Sequence, residues 1–173
     1  MRTQFLDRPR GSVALFLLVA AVGIVATAWG FEFAGFMPCK LCLEQRIPYY
    51  VGAGIAAAAF LIEARDGPAI LTRLAFLVLI GLFAWGLSVG FYQAGAEWGY
   101  WTGPTDCGAT RGGTIPKNAL DLLGSVETTR IVDCTKAQIR IVGLSFAGWN
   151  VIVSLGLIAI AGYGILAPRR RTV

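Results

Sequence analysis

The chain has 173 residues, 56% of them hydrophobic and 14% charged, with a net charge of +5. A mean hydropathy of +0.66 excludes an ordinary water-soluble domain. The basic residues gather beside apolar blocks rather than along one face, so the positive balance reads as membrane flanks and excludes a nucleic-acid surface.

Four apolar blocks, near 12–33, 43–62, 70–95 and 145–167, are long enough to span a membrane. Crossing about 30 Å of hydrocarbon takes roughly 20 mainly apolar residues. The first block follows Arg2, Arg8 and Arg10. Its Ala26-Thr27-Ala28 has the small-x-small form of a signal cleavage site, but the run is longer than a signal core and reads as a retained span. The second opens with Pro48, Tyr49 and Tyr50, where an early proline suits a helix entrance and tyrosines suit the interface. The third contains Gly86 and Gly90 as a G-x-x-x-G that lets helices approach closely. Tyr92, Trp98, Tyr100 and Trp101 crowd its outer end as an aromatic belt, and some of them could instead flank a bound ring. In the long loop after it, Ala119, Leu120, Leu122 and Leu123 would line one side of a short surface helix over residues 116–123.

These blocks predict an all-α membrane protein, a four-helix transmembrane bundle forming a single domain over 1–173. Eight of the fifteen basic residues flank three segments: the N-terminus, the turn with Arg65 and Arg73, and the C-terminal Arg169, Arg170 and Arg171. The positive-inside rule then places both termini in the cytoplasm and the loops near 34–42 and 96–144 on the other side.

All four cysteines fall in those two loops: Cys39 and Cys42 in the first, Cys107 and Cys134 in the second. In a bacterial inner membrane every thiol would then face the oxidising periplasm. Four cysteines allow three pairings, of which Cys39 with Cys42 is the natural short one. Closing so small a loop removes little chain entropy, so this C-x-x-C points to redox chemistry rather than stapling. A bridge between Cys107 and Cys134 would enclose a far longer loop and stabilise by about 3–4 kcal/mol as a staple, and the neighbouring C-x-x-C tilts it toward redox exchange as well. A tetrahedral zinc site is disfavoured because one spacing is short and the other wide, and no metal is expected.

Arg46 follows Cys42 by four residues. If the helix begins around Cys42, guanidinium and sulfur share a face one turn apart, and the cation and helix start favour thiolate at Cys42. Both residues are therefore candidates to face a bound electron acceptor. The bland role for Arg46 is an interfacial anchor whose stem snorkels to the headgroups.

The run from Cys39-Lys40-Leu41-Cys42 through Leu43-Glu44-Gln45-Arg46 to Ile47-Pro48-Tyr49-Tyr50 resembles the disulfide bond formation protein B (DsbB) family. Glu97-Trp98, Gly103-Pro104 before Cys107, Gly143-Leu144-Ser145 and Ala147-Gly148-Trp149-Asn150 extend the likeness over nearly the whole chain. The resemblance implies a protein-disulfide oxidase of the bacterial inner membrane. Its partner would be a periplasmic thioredoxin-fold dithiol oxidase (DsbA-like) and its electron acceptor ubiquinone or menaquinone. By that likeness the reduced partner attacks at Cys107, Cys134 exchanges with Cys39, and Cys42 faces the quinone with Arg46 beside it. The residues alone leave Cys107 and Cys134 interchangeable. A quinone sink suits the task, since an ordinary structural disulfide below about −300 mV lies too low to oxidise a partner near about −120 mV.

The chain departs from relatives in two places: Gln93 stands where many carry histidine, and Ala137-Gln138-Ile139-Arg140 where an aromatic residue often follows the fourth cysteine. Three other readings compete. A vitamin K epoxide reductase-like quinone reductase has its C-x-x-C in a late helix, so motif order disfavours it. A membrane assembly protein with purely structural disulfides would tolerate loss of Cys42. A thiol transporter would carry cysteines within its spans.

Overall fold

A computed structural model of the chain describes residues 9–103 and 134–168. The expected surface helix over 116–123, Cys107, and the terminal arginines other than Arg10 lie outside the described residues.

Helix α1 (Pro9–Phe33) is followed by a short α2 (Lys40–Glu44), then α3 (Ile47–Ala64) and α4 (Ala69–Glu97). Strands β1 (Arg140–Ile141) and β2 (Leu144–Ser145) precede α5 (Phe146–Leu166). The helices supply four segments long and apolar enough to cross a membrane, α2 and α3 counting as one. Helix α1 packs on α3 and α5, and α4 packs on α3 and α5, which closes a four-helix ring.

The second span differs from a single helix over 43–62, because it breaks between Glu44 and Ile47. Pro48 has no N–H to give the Glu44 carbonyl, and its ring crowds that carbonyl. The chain bridges the break with a tighter bond from Arg46 N–H to the Leu43 carbonyl, and Pro48 enters the first turn of α3, where its missing donor costs nothing.

The predicted all-α architecture also gains a small hairpin. Strands β1 and β2 pair antiparallel, Arg140 opposite Ser145 and Ile141 opposite Leu144. The two residues between them, Val142 (φ 54°) and Gly143 (φ 82°), both take the positive φ of a tight hairpin turn. Ser145 then caps α5, its Oγ accepting from the Gly148 N–H at 3.2 Å.

Phe76, Leu79 and Phe83 of α4 fill the bundle's centre against Val13, Ala14 and Leu17 of α1, Ala56 and Ala59 of α3, and Leu157 and Ala161 of α5. Alanine and glycine on the facing helices let the backbones close around these rings. The expected role of Gly86 and Gly90 as packing residues holds: a Cβ would stand 3.3 Å from Pro48 at the first and 2.8 Å from Asn150 at the second. At the end of the bundle away from Cys39 and Cys42, buried Arg10 donates from Nε to the Ala167 carbonyl at 2.9 Å, satisfying the C-terminus of α5.

Tyr50, Tyr92, Trp98, Tyr100 and Trp101 are exposed as a belt should be. Tyr49 corrects the expectation: it is 2% exposed and turned inward, hydrogen-bonded to Asn150 and, at 3.0 Å, to Ser154. Its phenol needs these partners because it sits among apolar side chains.

A Cβ at Gly164 would fall 2.9 Å from both the Phe76 ring and Val13, whereas one at Gly54 would meet nothing within 4 Å. Gly164→Ala should therefore destabilise the bundle by about 1–2 kcal/mol and Gly54→Ala should not, as read from thermal melts in detergent.

Candidate functional site

Cys39 is the N-cap of α2, and its Sγ accepts the Cys42 backbone N–H at 3.2 Å, the place a serine or threonine oxygen usually fills. This turn brings the two sulfurs to 2.6 Å, and both are free thiols. Cys39 is buried and Cys42 partly exposed. The hydrogen bond with Cys42, together with burial, pushes the Cys39 thiol well above the ordinary range, and either sulfur can be the donor between them.

Two buried amides anchor the pair. Gln93 of α4 donates from Nε2 to Cys42 Sγ at 3.5 Å and to Glu97 Oε1 at 3.1 Å, and its Oε1 accepts from Gln45 Nε2 at 2.7 Å. Gln45 is placed for this by the break before Pro48, which frees its side chain to point at α4. The sequence marked Gln93 only as a departure from relatives; its spacing of four from Glu97 on one helix face was the available signal.

Arg46 lies on the other side of the break. Its guanidinium pairs with Glu32 of α1 at 2.7 Å and reaches the Ala28 carbonyl at 3.5 Å. It lines the same cavity as Cys42, but the side-chain partners of the Cys42 sulfur among the described residues are Cys39 and Gln93. The one-turn helical relation expected for Cys42 and Arg46 is interrupted by Pro48, and sequence reasoning did not find Glu32.

Cys134 is disulfide-bonded, to neither Cys39 nor Cys42, and is 1% exposed. It belongs to one buried cluster with Cys39 and Leu41, with Cys42 and Val89 packed beside them. Gln138 donates to the Met37 carbonyl and ties the segment after Cys134 to the one before Cys39. Three of the four candidate cysteines are thus together, and Cys107 is outside the described residues. No group of three or more metal-ligating side chains occurs among the described residues.

The thiols open on a cavity of about 660 Å³. It runs along the seam between α1 and α5, the least closely packed of the ring, with apolar walls from residues such as Phe16 and Ile24 of α1 and Leu157 and Ile160 of α5. Cys42, Gln45, Arg46, Gln93 and Glu97 are polar groups of its lining on the side of the thiols. None of Tyr92, Trp98, Tyr100 or Trp101 lines it, which leaves them as belt residues.

A four-helix membrane bundle holding two adjacent free thiols against a disulfide-bonded cysteine is the framework of a membrane thiol–disulfide oxidoreductase. Residues 10–164 match the family described as Disulfide bond formation protein DsbB, and the chain belongs to that family. No curated protein and no solved structure matches it.

The raised Cys39 thiol sets a pH signature. An ordinary thiol is half ionised near pH ~8.5, and only the thiolate alkylates. At that pH Cys39 should react with iodoacetamide at least about tenfold more slowly than the same cysteine in the unfolded chain. The rate should climb only as pH rises further, followed by peptide mass spectrometry. Equal rates in the folded and unfolded chains would contradict the shift.

Proposed function

We propose that this protein oxidises a periplasmic thioredoxin-fold dithiol protein and passes the electron pair to a membrane quinone, ubiquinone or menaquinone. The observation that carries the reading is the placement of two free thiols at the cavity with a disulfide-bonded cysteine packed against one of them. Thiol–disulfide exchange needs a thiol beside a disulfide, and Cys39 beside Cys134 supplies one. Electron transfer onward needs a second sulfur facing an acceptor, and Cys42 lines the cavity.

The lining residues suit a quinone. The volume falls in the usual range for small-molecule sites, and the long apolar seam between α1 and α5 matches a ring with an isoprenoid tail. Cys42, Arg46 and Gln93 would hold the ring, which supplies a two-electron sink when bound. Arg46 has N–H donors beyond those it gives Glu32 and the Ala28 carbonyl, and these suit a quinone carbonyl oxygen. On this reading the protein sits in a bacterial inner membrane with its cysteines on the periplasmic side.

The test is quinone reduction in detergent, with a reduced thioredoxin-fold dithiol and a short-chain ubiquinone analogue. Wild type should turn over, while Cys42→Ser and Cys107→Ser should lose essentially all turnover. Gly156 lines the cavity with open space where a Cβ would stand, so Gly156→Phe should raise the KM for the quinone by about tenfold or more through lost apolar contact. A wild-type chain that reduces no quinone defeats the reading.

A further inference from the structure

Cys39 is the sulfur that must close onto Cys42, and it is buried, 4% exposed, with its sulfur 2.6 Å from that of Cys42. Bulk water is poorly placed to take that proton. The chain contains no histidine, so the usual near-neutral base is missing throughout.

We propose that Glu97 is the base that receives the Cys39 proton as the Cys39–Cys42 disulfide closes, an assignment that rests on the redox reading of that pair. Glu97 is the one carboxylate among the described residues that line the cavity, and Cys39 and Cys42 line it too. Gln93 fixes it: the same amide nitrogen that reaches Cys42 Sγ at 3.5 Å donates to Glu97 Oε1 at 3.1 Å. The other oxygen, Oε2, is buried and has no hydrogen-bond partner among the described residues. A buried acceptor without a donor is uncommon, and here it leaves a lone pair free for a proton.

Other charged or titratable groups around the cavity serve the role less well. Arg46 is a cation engaged with Glu32, Lys136 is an exposed cation, and the Tyr49 hydroxyl is bonded to Asn150 and Ser154.

In the step, the Cys39 S–H bond breaks and its proton passes to Glu97, directly or through one water. The Cys39–Cys42 S–S bond forms, and the electron pair leaves with the group displaced from Cys42. In the proposed reaction that pair passes to the quinone, and the two electrons are matched by two protons, one from each thiol. Glu97 releases its proton afterwards and is ready for the next cycle.

Ellman's reagent tests this without quinone, on the full chain in detergent with Cys39 and Cys42 as free thiols. In stopped flow, the first thionitrobenzoate released marks attack by the more accessible Cys42, and the second marks closure by Cys39. Glu97→Gln should slow the second release by about a hundredfold, the low end for general-base catalysis, and change the first by less than about threefold. Formate should restore part of the second rate in Glu97→Ala, and Glu97→Asp should close faster than Glu97→Gln. Circular dichroism confirms that each variant is folded.

A second release in Glu97→Gln within about threefold of wild type overturns the assignment and leaves the redox reading standing. Slow closure that neither formate nor Glu97→Asp improves makes Glu97 a structural residue and also overturns it. A wild-type chain that never releases the second equivalent overturns both.

Discussion

The break in the second span governs the rest of the site. Pro48 cannot donate to the Glu44 carbonyl, so the helix that begins at Lys40 ends within little more than a turn and restarts at Ile47. Across that gap consecutive residues point in different directions: Gln45 toward α4 and Gln93, Arg46 toward α1 and Glu32. An unbroken helix would hold Cys42 and Arg46 on one face and leave no reason for α2 to present its two sulfurs to the cavity. The break therefore assigns one residue to the amide network beside the thiols and the next to the ion pair at the cavity wall.

The chemistry follows from how the polar groups are rationed within an apolar bundle. Gln93 serves Cys42, Gln45 and Glu97 at once. Each is buried or partly buried, so removing one amide would leave several polar atoms unsatisfied at about 1–3 kcal/mol each. Further from the thiols, Tyr49, Asn150 and Ser154 satisfy one another, and Asn150 also donates to the Gly86 carbonyl at 3.1 Å. These bonds fix α3, α4 and α5 together, while the seam between α1 and α5 stays open. The loose packing is thereby confined to that one seam, the place where the proposed quinone would enter.

Much of this was legible in the sequence. Long apolar blocks predicted the four spans, and their bounds fall close to the observed helices because hydrocarbon thickness sets length directly. The C-x-x-C spacing marked Cys39 and Cys42, since any helical turn there brings two such sulfurs together. Glu32 and Gln45 were not legible as site residues, because their partners lie on other helices and no local spacing encodes a cross-helix contact, while Gln93 stood out only as a departure from relatives and by its spacing of four from Glu97. Tyr49 and Tyr50 look alike as neighbours at a helix start, and only the packing of α3 against its neighbours turns one inward, toward Asn150 and Ser154. The hairpin at 140–145 was hidden because a two-residue turn with Val142 at positive φ runs against the usual preference of β-branched residues.

The central claim is that electrons pass between the Cys134 disulfide and the cavity-facing pair through Cys39. The most direct measurement is disulfide mapping by mass spectrometry of a Cys42→Ser chain kept without added reductant, in which the Cys39 thiol can exchange into the Cys134 disulfide and release its other cysteine as a thiol. With its resolving partner removed, Cys39 should be trapped in a bridge to Cys134, and the linked peptide should accumulate. Cys39 remaining a free thiol under those conditions, with no linked peptide, would contradict the account.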